Sequence, residues 1–385
     1  MAKLHISSQF DSGSIEVLNL NDHCHIELKI RKDSAADFAQ WFHFVLCGAM
    51  NLPIDLKLLN AGICSYPDGW TDYKIAASYD KHSWFRIDTQ FDGEILSAKI
   101  TPGANCIYFA YFEPYSFERH MNMIGSFTLS PYVFVDRLGG TSQGRDITLL
   151  KVTNTENSML EMQKKKVWLI ARQHPGETMA EWFAEGFLEG LLKKNDPVSC
   201  TLLDQCIFYI VPNMNPDGTV LGNMRTNALG VDLNREWCSP TLERSPEVYW
   251  VREKIIQTGV DIFLDAHGDE GLPYNFVAGS QSNISHSHLQ AELEATFKES
   301  WTTARAGFQD QYNYGTPQRG SVPLSVATNW IADHFGCLAL TIEMPFKDNA
   351  IDPMPLRGWD GQRSKEFGAS ALLPIQSVCS KLFKF

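Results

Sequence analysis

The chain has no apolar stretch approaching the ~20 residues that a helix needs to cross a bilayer, and its opening, MAKLHISSQFDSGS, has no apolar signal core. A membrane-spanning helix is thereby excluded, and a secretory leader is not expected. Excess positive charge is also missing: 33 Lys and Arg stand against 45 Asp and Glu, a formal charge of -12. That balance disfavours non-specific attraction to nucleic acid or to an anionic membrane surface and leaves room only for a local basic pocket. The cysteines, at 24, 47, 64, 106, 200, 206, 238, 337 and 379, are odd in number and form no CxxC pair. A reduced compartment with free thiols, and so a cytoplasmic protein, fits them better than a secreted disulfide framework. No internal repeat, heptad or low-complexity tract is present, so neither a solenoid nor a coiled-coil rod is expected.

What remains is an ordinary soluble composition, 44% hydrophobic and 20% charged over 385 residues, enough for a substantial core and for two domains. Through about residue 120 the chain offers short alternating segments, IEVLNL, HIELKI, FHFVLCG, PIDLKLL, WFRIDTQ and ILSAKI, broken by Gly, Pro, Asn and Asp. This pattern predicts an antiparallel β-sandwich domain over 1–120. From about residue 130 the grammar changes to α/β. Apolar runs VWLIARQ, CIFYIVPN, DIFLDAH and LALTIEM alternate with helical stretches, the clearest at 178–194 and 245–257, the second with Ser245 as cap and Pro246 in its first turn. The expected second domain, 121–385, is a mixed sheet packed between helices. His286 and His288 fall at the start of a surface helix over 285–307, where i,i+2 neighbours do not face each other.

Polar residues stand at the ends of those apolar runs: His174 and Glu177 after the first, Asn213 after the second, His267 and Glu343 closing the third and fourth. Ligands of open α/β sheets bind beyond the carboxyl ends of strands, so the four ends nominate one cleft. His174 and Glu177, separated by the Pro175-Gly176 turn, can converge on one ion, and His267, followed by glycine, supplies a third ligand. Three protein ligands and an open position make a catalytic rather than a structural zinc site. Each residue alone has a bland reading, a capping pair for HxxE or a satisfied loop histidine for His267; the constellation reverses it. Glu343, fixed at a strand end, suits proton transfer from an activated water to a leaving amine. The segment VPNMNPDGTVLGNMRTNALGVDLNREW is polar and glycine-rich, the wall of a site. Arg225 is expected beside a scissile carbonyl; Asn234 and Arg235 are expected to hold a substrate carboxylate. Asp232 reads as structural.

At this point the chain resembles the zinc carboxypeptidase family, and within it the cytosolic carboxypeptidase branch. The matching phrases are HPGE at 174–177, NPDG at 215–218, GNMR at 222–225, GVDLNREW at 230–237, DAHG at 265–268 and TIEMPF at 341–346, with YFAYFEPYSF at 108–117 at the join of the two domains. The resemblance implies one Zn2+ per chain on His174, Glu177 and His267, Glu343 as general acid/base, Arg225 polarising the carbonyl, and Asn234 with Arg235 clamping the terminal carboxylate. It implies removal of C-terminal residues, glutamate among them, from a peptide or protein tail. For a glutamate pocket the chain offers Arg305, Arg319 and Lys347 as cations. It departs from the branch after the third ligand, where HGDEG puts Asp269 and Glu270 in place of histidine and serine. The tyrosine that closes over substrate in digestive members is not assignable, although Tyr312 and Tyr314 lie in a loop of suitable character. Two other readings stay open: a zinc amidohydrolase acting on small acylated amino acids or cell-wall peptides, and a non-catalytic peptide-binding protein. Oligomeric state is left open.

Overall fold

In the computed structural model, described over residues 3–156, 159–304 and 307–383, the alternating segments of the N-terminal region form ten strands. These are β1 (His5–Ser7), β2 (Glu16–Asn19), β3 (Ile26–Lys29), β4 (His43–Cys47), β5 (Ile54–Leu58), β6 (Ala76–Ser78), β7 (Trp84–Arg86), β8 (Thr89–Phe91), β9 (Leu96–Ile100) and β10 (Cys106–Ala110). They pair into two five-stranded sheets, in the orders β1-β4-β10-β6-β7 and β2-β3-β5-β9-β8. All pairings are antiparallel except β3 with β5. Burial alternates along β5 and β9, placing Ile54, Leu56, Leu58, Leu96 and Ala98 inside, as period-2 patterning requires. The expectation of free thiols throughout is corrected at one place: Cys47 and Cys106, register partners on β4 and β10, form a disulfide. Strand pairing brings together two cysteines 59 residues apart, a proximity that spacing along the chain does not reveal. The other cysteines are free.

The second architecture is a seven-stranded mixed sheet ordered β11-β12-β14-β13-β15-β17-β16, made of β11 (Val133–Gly140), β12 (Asp146–Val152), β13 (Lys165–Ala171), β14 (Cys206–Val211), β15 (Ile262–Asp269), β16 (Phe276–Gly279) and β17 (Leu338–Pro345). Its centre, β14-β13-β15-β17, is parallel. Both faces of these strands are covered, which is why they appear in the sequence as unbroken apolar runs rather than alternations. Val167, Leu169 and Ala171 point into one helix layer, while Trp168 and Ile170 point into the other. The helices are α1 (Phe117–Phe127), α2 (Thr178–Leu191), α3 (Pro197–Gln205), α4 (Pro216–Leu221), α5 (Pro246–Thr258), α6 (His288–Ala304), α7 (Ala327–Phe335), α8 (Gly361–Ser370) and α9 (Leu372–Leu382). Helices α2, α6, α8 and α9 supply Phe183, Phe187, Trp301, Phe367 and Ile375 to the first layer; α5 and α7 supply Val248, Val251, Ile255 and Ile331 to the second. Ser245 does cap α5 by position and Pro246 opens it, but the Ser245 side chain makes no capping bond and reaches Glu236 at 3.4 Å instead. Among the described residues no helix is long and apolar enough to cross a membrane.

The two architectures share one hydrophobic cluster and are also joined by polar contacts. Arg86, half-buried beside Tyr73 and Phe112, donates to the carbonyls of Phe346 and Trp359 at 2.9 and 3.0 Å. Asp33 accepts from the backbone amides of Met224, Arg225 and Thr226 at 2.5, 3.0 and 2.8 Å. The N-terminal region thus fixes the loop that carries Arg225.

Helix α2 follows the His174–Glu177 turn and is pressed backbone to backbone against α8. A Cβ on Gly186 would strike the Lys365 carbonyl, and one on Gly368 the Phe183 carbonyl. Gly186→Ala must therefore push the two helices apart, an overpacking cost of about 1–3 kcal/mol. The expected outcome is a lowered urea-unfolding midpoint, and an unchanged midpoint would contradict this packing.

Candidate active site

The carboxyl ends of β13, β15 and β17 meet at one point. β13 leads into a tight turn begun by Arg172, a non-glycine residue at φ 61. Its buried guanidinium holds that turn closed by donating to the carbonyls of Pro175 and Tyr115 and to Glu181 of α2 at 2.9, 2.7 and 2.7 Å. Glu177 then sits at the N-cap of α2, where the positive end of the helix dipole favours a carboxylate. Its Oε1 lies 2.7 Å from His174 Nδ1 and its Oε2 2.8 Å from His267 Nδ1. All three side chains are buried, and one donor atom from each falls within 4.8 Å of the others.

The Nε2 atoms of the two imidazoles point away from Glu177 and are held from behind: His174 by Asp232 at 3.1 Å, His267 by Asp265 at 2.9 Å. Gln173 fixes Asp265 in turn, donating to the same Oδ2 at 2.7 Å. This is the arrangement in which a carboxylate sets the orientation of an imidazole whose other nitrogen faces an ion. Burial favours a neutral His267, but Asp265 and Glu177 outweigh it and hold its pKa well above the ordinary value. For Glu177 burial is likewise outweighed by the two imidazoles, and its pKa lies below the usual carboxylate range. Two nitrogens and a carboxylate oxygen directed at one point form the donor set that a zinc ion takes.

Glu343 is the register partner of His267 across the parallel β15–β17 pair, so the two side chains leave the sheet side by side. It is buried, and its Oε2 has no hydrogen-bond partner. Burial pushes its pKa well up, with His267 and Tyr314 drawing it back and Asp269 and Glu177 adding to the rise. Arg225 donates through Nε to Asp232 at 2.7 Å and through Nη1 to the Tyr66 hydroxyl at 2.7 Å, with the Phe38 ring also against it. Asp232 thus joins the cation to His174, a role that its reading as structural missed. Asn234 is buried, accepting from the Ala327 amide at 2.9 Å with Nδ2 turned toward His267 Nε2 at 3.4 Å. Arg235 is exposed and bound at 2.8 Å to the Asn234 carbonyl. His174, Glu177, Arg225, Asn234, Arg235, His267 and Glu343 all line one cleft of about 370 Å³.

Asn213, also at a strand end, lies outside this lining and instead donates to Glu181 at 3.1 Å. Of the two loop tyrosines, Tyr314 lines the cleft and donates to Asp269 at 2.6 Å, whereas Tyr312 stacks on Tyr274 with ring centres 4.6 Å apart. Arg305 lies outside the described residues. Arg319 is bound to the Ile284 carbonyl and Lys347 to that of Thr71, both off the lining. The lysine that does face the cleft is Lys298 of α6, paired with Glu294 at 2.9 Å and Asp310 at 3.0 Å. Sequence reading overlooked it inside a helix that reads as solvated. Asp265 was legible in principle, because on a strand a residue two before His267 shares its face.

Two family descriptions match the chain: the cytosolic carboxypeptidase N-terminal domain over residues 6–112 and zinc carboxypeptidase over 128–358. A metallo-carboxypeptidase from Burkholderia cenocepacia is 45% identical, covers 98% of this chain and 100% of its own, and superposes with a TM-score of 0.95. A metallo-carboxypeptidase from Pseudomonas aeruginosa, solved in complex with (2-guanidinoethylmercapto)succinic acid, is 42% identical with the same coverage and a TM-score of 0.94. Cytosolic carboxypeptidase 6 of Mus musculus is 32% identical over 293 residues, 70% of this chain and 54% of the relative. With the converging donor set at its strand ends, the chain belongs to the zinc carboxypeptidase family and is a metallocarboxypeptidase of its cytosolic carboxypeptidase-like branch.

Proposed function

We propose that the protein is a zinc-dependent exopeptidase that removes the C-terminal residue from peptides or protein tails in the cytoplasm. One ion is held by His174, Glu177 and His267, in a catalytic domain that follows a separate domain ending near residue 120. The observation that carries this reading is the register pairing of His267 with Glu343, which sets a proton acceptor beside the donor triad in a cleft that also exposes Arg235. Family matches on either side of residue 120 support the division, and relatives named as cytosolic support the compartment.

When bound, the zinc ion supplies a Lewis acid and makes water acidic near neutral pH. Glu343 takes the proton of the attacking water and returns it to the departing amine; its burial raises its proton affinity in the direction this work requires. Arg225, its geometry fixed by Asp232 and Tyr66, donates to the scissile carbonyl oxygen as negative charge gathers there. Arg235 holds the terminal carboxylate, and Asn234, anchored on the Ala327 amide, turns its own amide toward the same cleft. Tyr314, held by its hydrogen bond to Asp269, forms part of the same wall.

One reading of the released residue is glutamate, with Lys298, itself held by Glu294 and Asp310, as the cation facing its side chain. A second reading, release of a basic residue, is favoured by Glu294 in the same lining and by the guanidino group of the compound bound to the Pseudomonas relative. The deciding experiment follows residue loss by mass spectrometry from peptides ending in Glu, Arg or Leu, each also as the C-terminal amide. Loss from free C-termini alone establishes the exopeptidase and reads the preference; loss from no peptide defeats the proposal.

Three further outcomes are expected. Glu343→Gln should retain zinc and peptide binding while losing at least ~100-fold in turnover, as for removal of a general acid/base; near-native turnover would refute the assignment. Arg235→Ala should weaken free-acid peptides far more than amidated ones, whereas equal weakening would make Arg235 structural. The third concerns zinc uptake. His267 carries a proton on Nδ1 below its raised pKa, and that proton must leave when the nitrogen binds metal. Uptake at neutral pH should therefore release a proton, and affinity should fall as pH is lowered. Calorimetry in two buffers of different ionisation enthalpy reads this directly, and identical heats would contradict it.

A further inference from the structure

Glu270 lines the cleft three residues beyond His267, yet the chemistry above does not use it. It is only 8% exposed, and no hydrogen bond reaches its Oε1. A carboxyl buried with its own backbone amide for a partner and no counter-charge is costly. The surroundings do not supply one. Arg225, the cation in its field, is already bound to Asp232 and Tyr66, and the other charges close by, Glu177 and Asp269, are of its own sign. Burial, with Glu177 adding, accordingly pushes its pKa well above the carboxylate range. Its location is fixed by the N-terminal region: a Cβ on Gly69, in the turn that follows Tyr66, would lie 3.0 Å from the Glu270 carbonyl oxygen and 3.1 Å from its Cβ.

Direction along the cleft follows from the roles already assigned, and the inference rests on that carboxypeptidase reading. Arg235 takes the terminal carboxylate and Arg225 the scissile carbonyl, while Glu270 lies against the N-terminal turn whose Tyr66 holds Arg225. A substrate that runs from Arg235 past Arg225 brings to Glu270 the residue just upstream of the scissile bond. We infer that Glu270 is a subsite for a cationic group on that residue: the side chain of lysine or arginine in a longer peptide, or the free α-ammonium of a dipeptide. The cation supplies the counter-charge that Glu270 lacks within the protein.

The test uses the zinc-loaded Glu343→Gln protein, in which bound peptide persists, and measures affinity by calorimetry. One arm compares N-acetylated peptides differing only in the penultimate residue: lysine, norleucine or glutamate. The other compares a dipeptide with its N-acetylated form. The expected result is about tenfold or more tighter binding of the cationic member in at least one arm, the size of a charged hydrogen bond formed out of water, and which arm responds identifies the source of the cation. Adding the isosteric Glu270→Gln substitution should bring that ratio close to one. Equal affinities in both arms, or a ratio that survives the substitution, would overturn the proposal. Discrimination in binding with no turnover of any peptide by the wild-type protein would support the subsite and defeat the peptidase reading, so the two fail separately.

Discussion

The carboxylate of Glu177, shared between His174 and His267, is the constraint on which the site depends. Three ionisable groups are held out of water within hydrogen-bond distance of one another through that one carboxylate. Glu177 bridges the two imidazoles, with the dipole of α2 behind it and the Gly268 amide donating to its Oε2 at 3.1 Å. The fold concentrates its rigidity there. Glu181, one turn into α2, is fully buried and accepts from His120 at 2.6 Å, Arg172 at 2.7 Å and Asn213 at 3.1 Å. Removing one partner from such a buried cluster costs more than the cluster contributes, so the turn beginning at Arg172 is over-determined. That turn carries two of the three donors.

Much of this was legible because each donor sits at the end of a strand, and a buried parallel strand announces itself as an apolar run with an abrupt polar terminus. The same rule nominated Asn213 and there gave a structural residue, because β14 lies beyond β13, one strand removed from the β13–β15–β17 centre of the cleft. What the sequence concealed were contacts made across the chain. Asp232 reads as a turn former until folding sets it between His174 and Arg225; Lys298 reads as one charge on a polar helix until α6 packs beneath the cleft. The disulfide between Cys47 and Cys106 is of the same kind, since strand register rather than sequence spacing decides it.

The N-terminal region belongs to the site as much as the zinc carboxypeptidase domain does. Asp33 collects three successive amides of the loop that bears Arg225, and Tyr66 and Phe38 meet the guanidinium itself. An arginine is useful at a developing oxyanion only if it is already in place, since reorganising it during reaction consumes the stabilisation it offers. Here the two ends of the Asp232–Arg225–Tyr66 chain are anchored in different parts of the fold, one on a metal-ligand candidate and the other on a turn of the N-terminal region. Separation of the two regions would release Arg225 and would also remove the Tyr115 carbonyl that Arg172 uses to hold the His174–Glu177 turn.

Charge in the cleft follows the same logic. The sequence places acidic residues where the branch has histidine and serine, and Glu177, Glu270 and Glu343 together would repel one another if all were ionised without compensation. A divalent cation held by the triad would offset the repulsion around Glu177 and Glu343. It would do less for Glu270, which is not among the ligands and sits against the N-terminal turn near an arginine already committed to two partners. Such a group persists either because it is kept protonated or because a ligand completes it. Its place in the lining of the cleft, rather than in the closed core, leaves its carboxyl open to completion by a ligand.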